Sequence, residues 1–68
     1  MTVITKTDSI LYLASSGDWG LRVSNDSFEI LPQVGGFVYQ SGANLDNLAA
    51  LIIEAKAHAV QNGITWQQ

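Results

Sequence analysis

The apolar residues of this chain change period once. From Ile10 to Tyr39 they recur at every second position; from Leu45 to Ala59 they recur at every third or fourth. A period of two suits a half-buried strand, and a period near 3.6 suits an amphipathic helix. One switch from the first to the second means strands followed by a helix. It predicts an α+β fold, an antiparallel meander of three or four strands with one C-terminal helix packed across one face. No repeat, low-complexity tract or linker divides the chain. It reads as a single domain over residues 1–68, with the sheet over about 2–41 and the helix over about 45–62.

Turn chemistry sets the registers. In SSGDWGLRV, residues 15–23, a turn centred on Ser16-Gly17 pairs Ala14 with Trp19, Tyr12 with Leu21 and Ile10 with Val23. Asn25-Asp26 suits a type I′ turn, which pairs Val23 with Phe28 and Leu21 with Ile30. Gly35-Gly36 offers a third tight turn and sets Val34 beside Phe37. All three registers place the same residues on one face: Ile10, Tyr12, Ala14, Trp19, Leu21, Val23, Phe28, Ile30, Val34, Phe37 and Tyr39. Such agreement between local signals marks a consistent fold. Pro32 cannot donate to a ladder, so a bulge or longer loop is expected around 32–36. Thr2–Lys6 reads either as a further strand or as an extension of the first.

The helix has readable ends. Asn44 is expected as N-cap, Asp46 in the first turn near the positive end of the dipole, and Gly63 in the left-handed position after the last turn. Leu45, Leu48, Leu51, Ile52, Ala55 and Ala59 form its apolar side, with Asp46, Asn47, Glu54, His58 and Gln61 opposite. Ile64 and Trp66 are expected to fold back on the helix end or the sheet edge.

Size and composition narrow the function. A chain of 68 residues buries only about 60% of the surface its unfolded form exposes. Without cysteine it has neither disulfides nor a thiolate zinc site, and His58 is the only histidine. No cofactor or metal is expected. Charged residues are 13% of the chain, well under the usual share of about 25%, while apolar residues are 47%. A small domain so poor in charge leaves apolar area in water unless something covers it.

The net charge of −3, with only Lys6, Arg22 and Lys56 as cations, opposes direct nucleic-acid binding. No stretch resembles a targeting signal or a membrane span, so a cytoplasmic, soluble protein is expected. Asn25-Asp26-Ser27 fits a glycosylation pattern that means little without a secretory signal.

Candidate chemistry has ordinary explanations. The glycines flanking Trp19 mark a hairpin corner. A phosphate loop would need a following helix N-terminus and a basic residue. Glu54 and His58, four residues apart, offer two metal ligands with nothing to complete the set. Ser15, Ser16, Asp18 and His58 include the residue types of a nucleophilic triad, yet the serines lie in a turn rather than on a strained elbow.

The other face of the sheet is the informative one. The same registers send Leu11, Leu13, Gly20, Arg22, Glu29, Leu31, Gln33 and Val38 outward. Arg22 and Glu29 then lie directly opposite, among leucines that a fully solvated face would not collect. Leu11, Leu13, Arg22, Glu29, Leu31 and Val38 are therefore the expected partner-binding residues. The partner is another protein or a second copy, with a homodimer expected.

The function that follows is a non-enzymatic interaction module, an inhibitor or modulator that occludes a partner surface. Size alone associates such chains with phages and mobile elements. The alternative is an acidic blocker or mimic that occupies the basic groove of a nucleic-acid-handling protein. A weaker third reading, from a different class, is a small-ligand or enzymatic site using Trp19, Trp66 and His58.

Overall fold

Among the described residues, four short strands and one helix make up the regular structure. The computed structural model describes residues 1–6, 9–33 and 41–64. Strands β1 (Thr2–Lys6), β2 (Ser9–Leu13), β3 (Trp19–Val23) and β4 (Phe28–Pro32) form one antiparallel sheet in sequence order, followed by helix α1 (Gly42–Gln61). The expected α+β meander with a C-terminal helix is the observed fold. Thr2–Lys6 is a strand in its own right, paired with β2 from Thr2 opposite Leu13 to Lys6 opposite Ser9.

The central registers are those the turns imply. Ile10 faces Val23 and Tyr12 faces Leu21, while Val23 faces Phe28 and Leu21 faces Ile30. Ala14 N–H donates to Trp19 O at 2.9 Å and extends the β2–β3 ladder by one pair. The turn itself sits slightly earlier than expected. Gly17 N–H donates to Ala14 O at 3.0 Å, which centres the bend on Ser15-Ser16. Gly17 follows at φ +79°, a conformation that costs glycine little and other residues more.

The β3–β4 turn is not type I′. Among the described residues no non-glycine residue has a positive φ, whereas that turn needs two in succession. Ser24 closes the loop instead. Its N–H donates to Ser27 O at 2.9 Å. Its hydroxyl lies 3.1 Å from Asp26 Oδ1 and 3.0 Å from Ser27 Oγ. Side-chain bonding has replaced a strained backbone.

Pro32 does not disrupt β4. It ends the strand opposite Trp19, and the next N–H, from Gln33, donates to Asp18 O at 2.8 Å. Peptide groups alternate sides along a strand, so residues 27, 29, 31 and 33 bond to β3 while 28, 30 and 32 point off the edge. A missing N–H costs the ladder nothing there. The expected Gly35-Gly36 turn, together with Val34, Phe37, Val38, Tyr39 and Trp66, lies outside the described residues.

Helix α1 lies over β2 and β3. Ile10, Tyr12, Trp19, Leu21 and Val23 meet Leu51, Ala55 and Ala59 in the core, with Ala14, Ile30, Leu48, Ile52 and Ile64 packed around them. Ala55 and Ala59 are fully buried. Their small side chains let the helix approach the sheet closely.

Two apolar positions are more exposed than their expected faces imply. Phe28 is on the helix side of β4 but 71% exposed, because the helix does not extend over that corner. Leu45 is 63% exposed, because six residues before Leu51 it lies about 120° around the helix from that buried side chain. Ile64 is half-buried against the core, as expected.

The N-cap lies three residues before the expected one. Ser41 is the N-cap, and Asn44 is the third helical residue, completing a capping box. Asn44 N–H donates to Ser41 Oγ at 3.3 Å, and Ser41 N–H donates to Asn44 Oδ1 at 3.1 Å. Both Ser and Asn are good caps, and the reciprocal pair satisfies two orphan donors where Asn44 alone would satisfy one. Asp46 consequently falls beyond the first turn, which contains no acidic residue.

The other end matches the sequence. Gly63 has φ +85°. Its N–H donates to Val60 O at 3.2 Å while Ile64 N–H donates to Ala59 O at 3.0 Å, the paired bonds of a Schellman motif.

Candidate interaction surface

Cross-strand pairing brings most of the proposed surface together. Leu11 lies opposite Arg22, which lies opposite Glu29; Leu13 lies opposite Gly20, which lies opposite Leu31. Paired residues share a face and alternate residues along a strand share it too. Leu11, Leu13, Arg22, Glu29 and Leu31 therefore occupy the side opposite Tyr12, Leu21 and α1. Val38 lies outside the described residues. The expected Arg22–Glu29 pair forms, with Arg22 Nη1 3.2 Å from Glu29 Oε1. Both side chains are well exposed, so the pair orients the surface more than it stabilises the fold.

Gly20 joins the leucines. A Cβ at this position would stand 3.3 Å from Leu13 Cδ2 and 3.4 Å from Leu31 Cβ. Without one, side chains from β2 and β4 close over β3 and bury the glycine. Gln33 Nε2 borders the same spot and donates to Leu31 O at 3.2 Å. Leu11, Leu13 and Leu31 are each half-buried. Strand β1 adds Ile4, opposite Leu11 and 42% exposed. Ile4 was absent from the sequence-derived surface because the role of Thr2–Lys6 was open. Its place in an alternating, β-branched run, TVITK, was the available signal.

Trp19, Asp18 and His58 take part in the fold. Trp19 is buried, and its Nε1–H donates to Asn44 O at 2.7 Å. Asp18 Oδ2 accepts from Asn47 Nδ2 at 2.8 Å. The hairpin corner thus clamps the first turns of α1.

His58 is not on a solvated side of the helix. Its Nδ1 is 3.0 Å from Tyr12 OH, with the two rings edge to face. Asn47 and His58 stand four residues before Leu51 and three after Ala55, so both lie along the stripe that meets the sheet. Burial pushes the Tyr12 hydroxyl pKa up from its ordinary value.

These contacts separate the triad types. Asp18 binds at Asn47 and His58 lies eleven residues further along the helix, a rise of about 16 Å. Among the described residues no three His, Cys, Asp or Glu side chains gather as a metal site would require.

Two further features bear on function. A groove of about 570 Å³ runs between α1 and β4, lined by Val23, Phe28, Ile30, Ile52 and Lys56 among others. Neither Trp19 nor His58 lines it, so these two residues of the expected small-ligand site are not part of the groove. Asp18, Asp26, Glu29, Asp46 and Glu54 are spread over the hairpin corner, a loop, the outer face and the helix. Among the described residues, no helix is long and apolar enough to cross a membrane. Compared with known proteins, the chain matches no family model, no curated protein and no solved structure.

Proposed function

We propose that the chain is a non-enzymatic protein-interaction module that inhibits or modulates a partner protein by covering part of its surface. One observation carries this reading: Ile4, Leu11, Leu13 and Leu31 form a continuous apolar area on the sheet face opposite the helix, beside the Arg22–Glu29 pair. Apolar patches rimmed by polar groups are typical of docking sites. The leucines would supply buried area, and the charge pair would fix orientation.

The acidic-blocker alternative has weaker support, because the carboxylates among the described residues do not converge on one face. A capture experiment separates the two. The immobilised chain is exposed to an extract of its host, alongside Leu13→Glu, Leu31→Glu and, as a control on the helix side, Phe28→Ser. Partners held by the outer face stay bound in molar salt and are lost from both leucine variants but not from the control. Capture that survives both leucine substitutions overturns the docking face, and capture that salt abolishes favours the electrostatic alternative.

A further inference from the structure

The two edges of the sheet differ. At the β4 edge the outward position 32 is a proline, which offers no donor to an incoming strand. At the β1 edge, among the described residues, neither a proline nor a bulge interrupts the strand, and Lys6 at its end is its one charge. Residues 2–6 pair with 13–9 in unbroken register, without bulge or proline, and all five are exposed. The 2.9 Å bond from Ala14 N–H to Trp19 O fixes which peptide groups face which neighbour. Even-numbered residues of β2 bond to β3 and odd-numbered ones to β1, so Thr2, Ile4 and Lys6 bond back to β2. Val3 and Thr5 therefore turn their N–H and C=O groups away from the sheet.

We propose that β1 pairs with β1 of a second copy of this chain, antiparallel about a two-fold axis through Ile4, making a continuous eight-stranded sheet. Val3 then exchanges both backbone hydrogen bonds with Thr5 of the second copy, and Thr5 with its Val3. Ile4 meets Ile4 of the second copy across a non-hydrogen-bonded pair, where side chains come closest.

The strand suits itself as a partner. Lys6, its only charge, faces the neutral Thr2 of the second copy. Sliding by two residues one way leaves Lys6 unpaired, and sliding the other way sets it against Ile4. The helix does not obstruct the pairing. It lies over β2 and β3, and two strand spacings on each side of the axis hold the two helices about 19 Å apart. The two outer faces become one, so Ile4, Leu11, Leu13 and Leu31 of both copies form a single apolar area. The inference rests on the outer-face reading only in leaving that face open to a different protein.

The absence of cysteine permits a direct test. In the proposed pair the Ile4 Cα atoms are about 4.5 Å apart, a separation a disulfide spans. Ile4→Cys is expected to form a cross-linked dimer under mild oxidation, and Lys6→Cys and Leu31→Cys are not. Light scattering on the unmodified chain is expected to rise with concentration toward twice the chain mass.

Val3→Pro removes an N–H that β2 does not use. It should return the protein to monomer with its circular dichroism intact. If it unfolds the protein, Val3→Lys replaces it, because two added lysines beside the axis repel without touching the ladder.

Leu13→Glu distinguishes this inference from the docking reading, since it abolishes partner capture but leaves the doubled mass. A chain that stays monomeric to millimolar concentration, or cross-links equally well at all three cysteine positions, overturns the edge pairing and leaves the outer face standing. A mass lost on Leu13→Glu but kept in the Val3 variant overturns it in favour of face-to-face association. A monomer whose edge instead takes up an extended peptide of another protein overturns it too.

Discussion

Tyr12 is a large side chain removed completely from water, and its hydroxyl meets His58 Nδ1 at 3.0 Å. That bond turns the single histidine into part of the fold. Tyr12→Phe keeps the ring and deletes the bond, so it is expected to cost about 0.5–1.5 kcal/mol in urea unfolding. Alkaline pH gives a second readout. Burial raises the Tyr12 pKa above the ordinary 10.0, so the unfolded chain ionises first as pH rises. The stability contributed by neutral, buried Tyr12 is complete below pH 10.0 and declines above it. The advantage of the native chain over Tyr12→Phe should therefore shrink as pH climbs past that value. An advantage that stays constant would mean the hydroxyl is open to solvent. Asp18 is likewise drawn into the fold, as a turn residue whose carboxylate accepts from Asn47.

Each end of α1 is set by local chemistry that substitutions can isolate. Gly63 sits at φ +85° with open space where a Cβ would stand. Gly63→Ala therefore pays only the conformational penalty, about 1 kcal/mol. Ser41→Ala removes the cap and is expected to cost about 1 kcal/mol. Urea titration of both variants checks these values, and a neutral Ser41→Ala would return the cap to Asn44.

The same elements indicate what was legible in the sequence. The β2–β3–β4 registers and the helix body could be read because burial enforces period two and period 3.6 over whole segments. The cap was misplaced because Ser41 and Asn44 are both good cap residues, three positions apart. The Asn25-Asp26 turn was misjudged because Ser24 satisfies the loop without positive φ. The roles of Asn47 and His58 were hidden because a polar residue at the margin of an apolar stripe looks the same in sequence whether it meets water or a buried hydroxyl. On the outer face, alternation placed five of the six expected residues together. Ile4 was missed because nothing local says whether an N-terminal strand pairs or trails.

At the scale of the whole molecule, the described residues supply one helix for a sheet with apolar residues on both sides. Its helix side is closed by Leu51, Ala55 and Ala59. On the other, Leu11, Leu13 and Leu31 are only half-buried. This asymmetry follows from composition: a chain with 13% charged residues has too few to polarise a second face. The edges repeat the pattern, one blunted by Pro32 and one left open at Val3 and Thr5. A second copy at the open edge would double the apolar face without covering it, leaving a broader surface for a partner.

Thiol labelling of single cysteines, introduced into a chain that has none, reads the state of that face directly. Leu31→Cys on the outer face and Leu51→Cys in the core are compared in the free protein, then in the captured complex. Leu31→Cys is expected to react far faster than Leu51→Cys in the free protein and to become protected in the complex. Equal, slow labelling at both positions in the free protein would mean that the chain covers this face itself, and the docking surface would not exist.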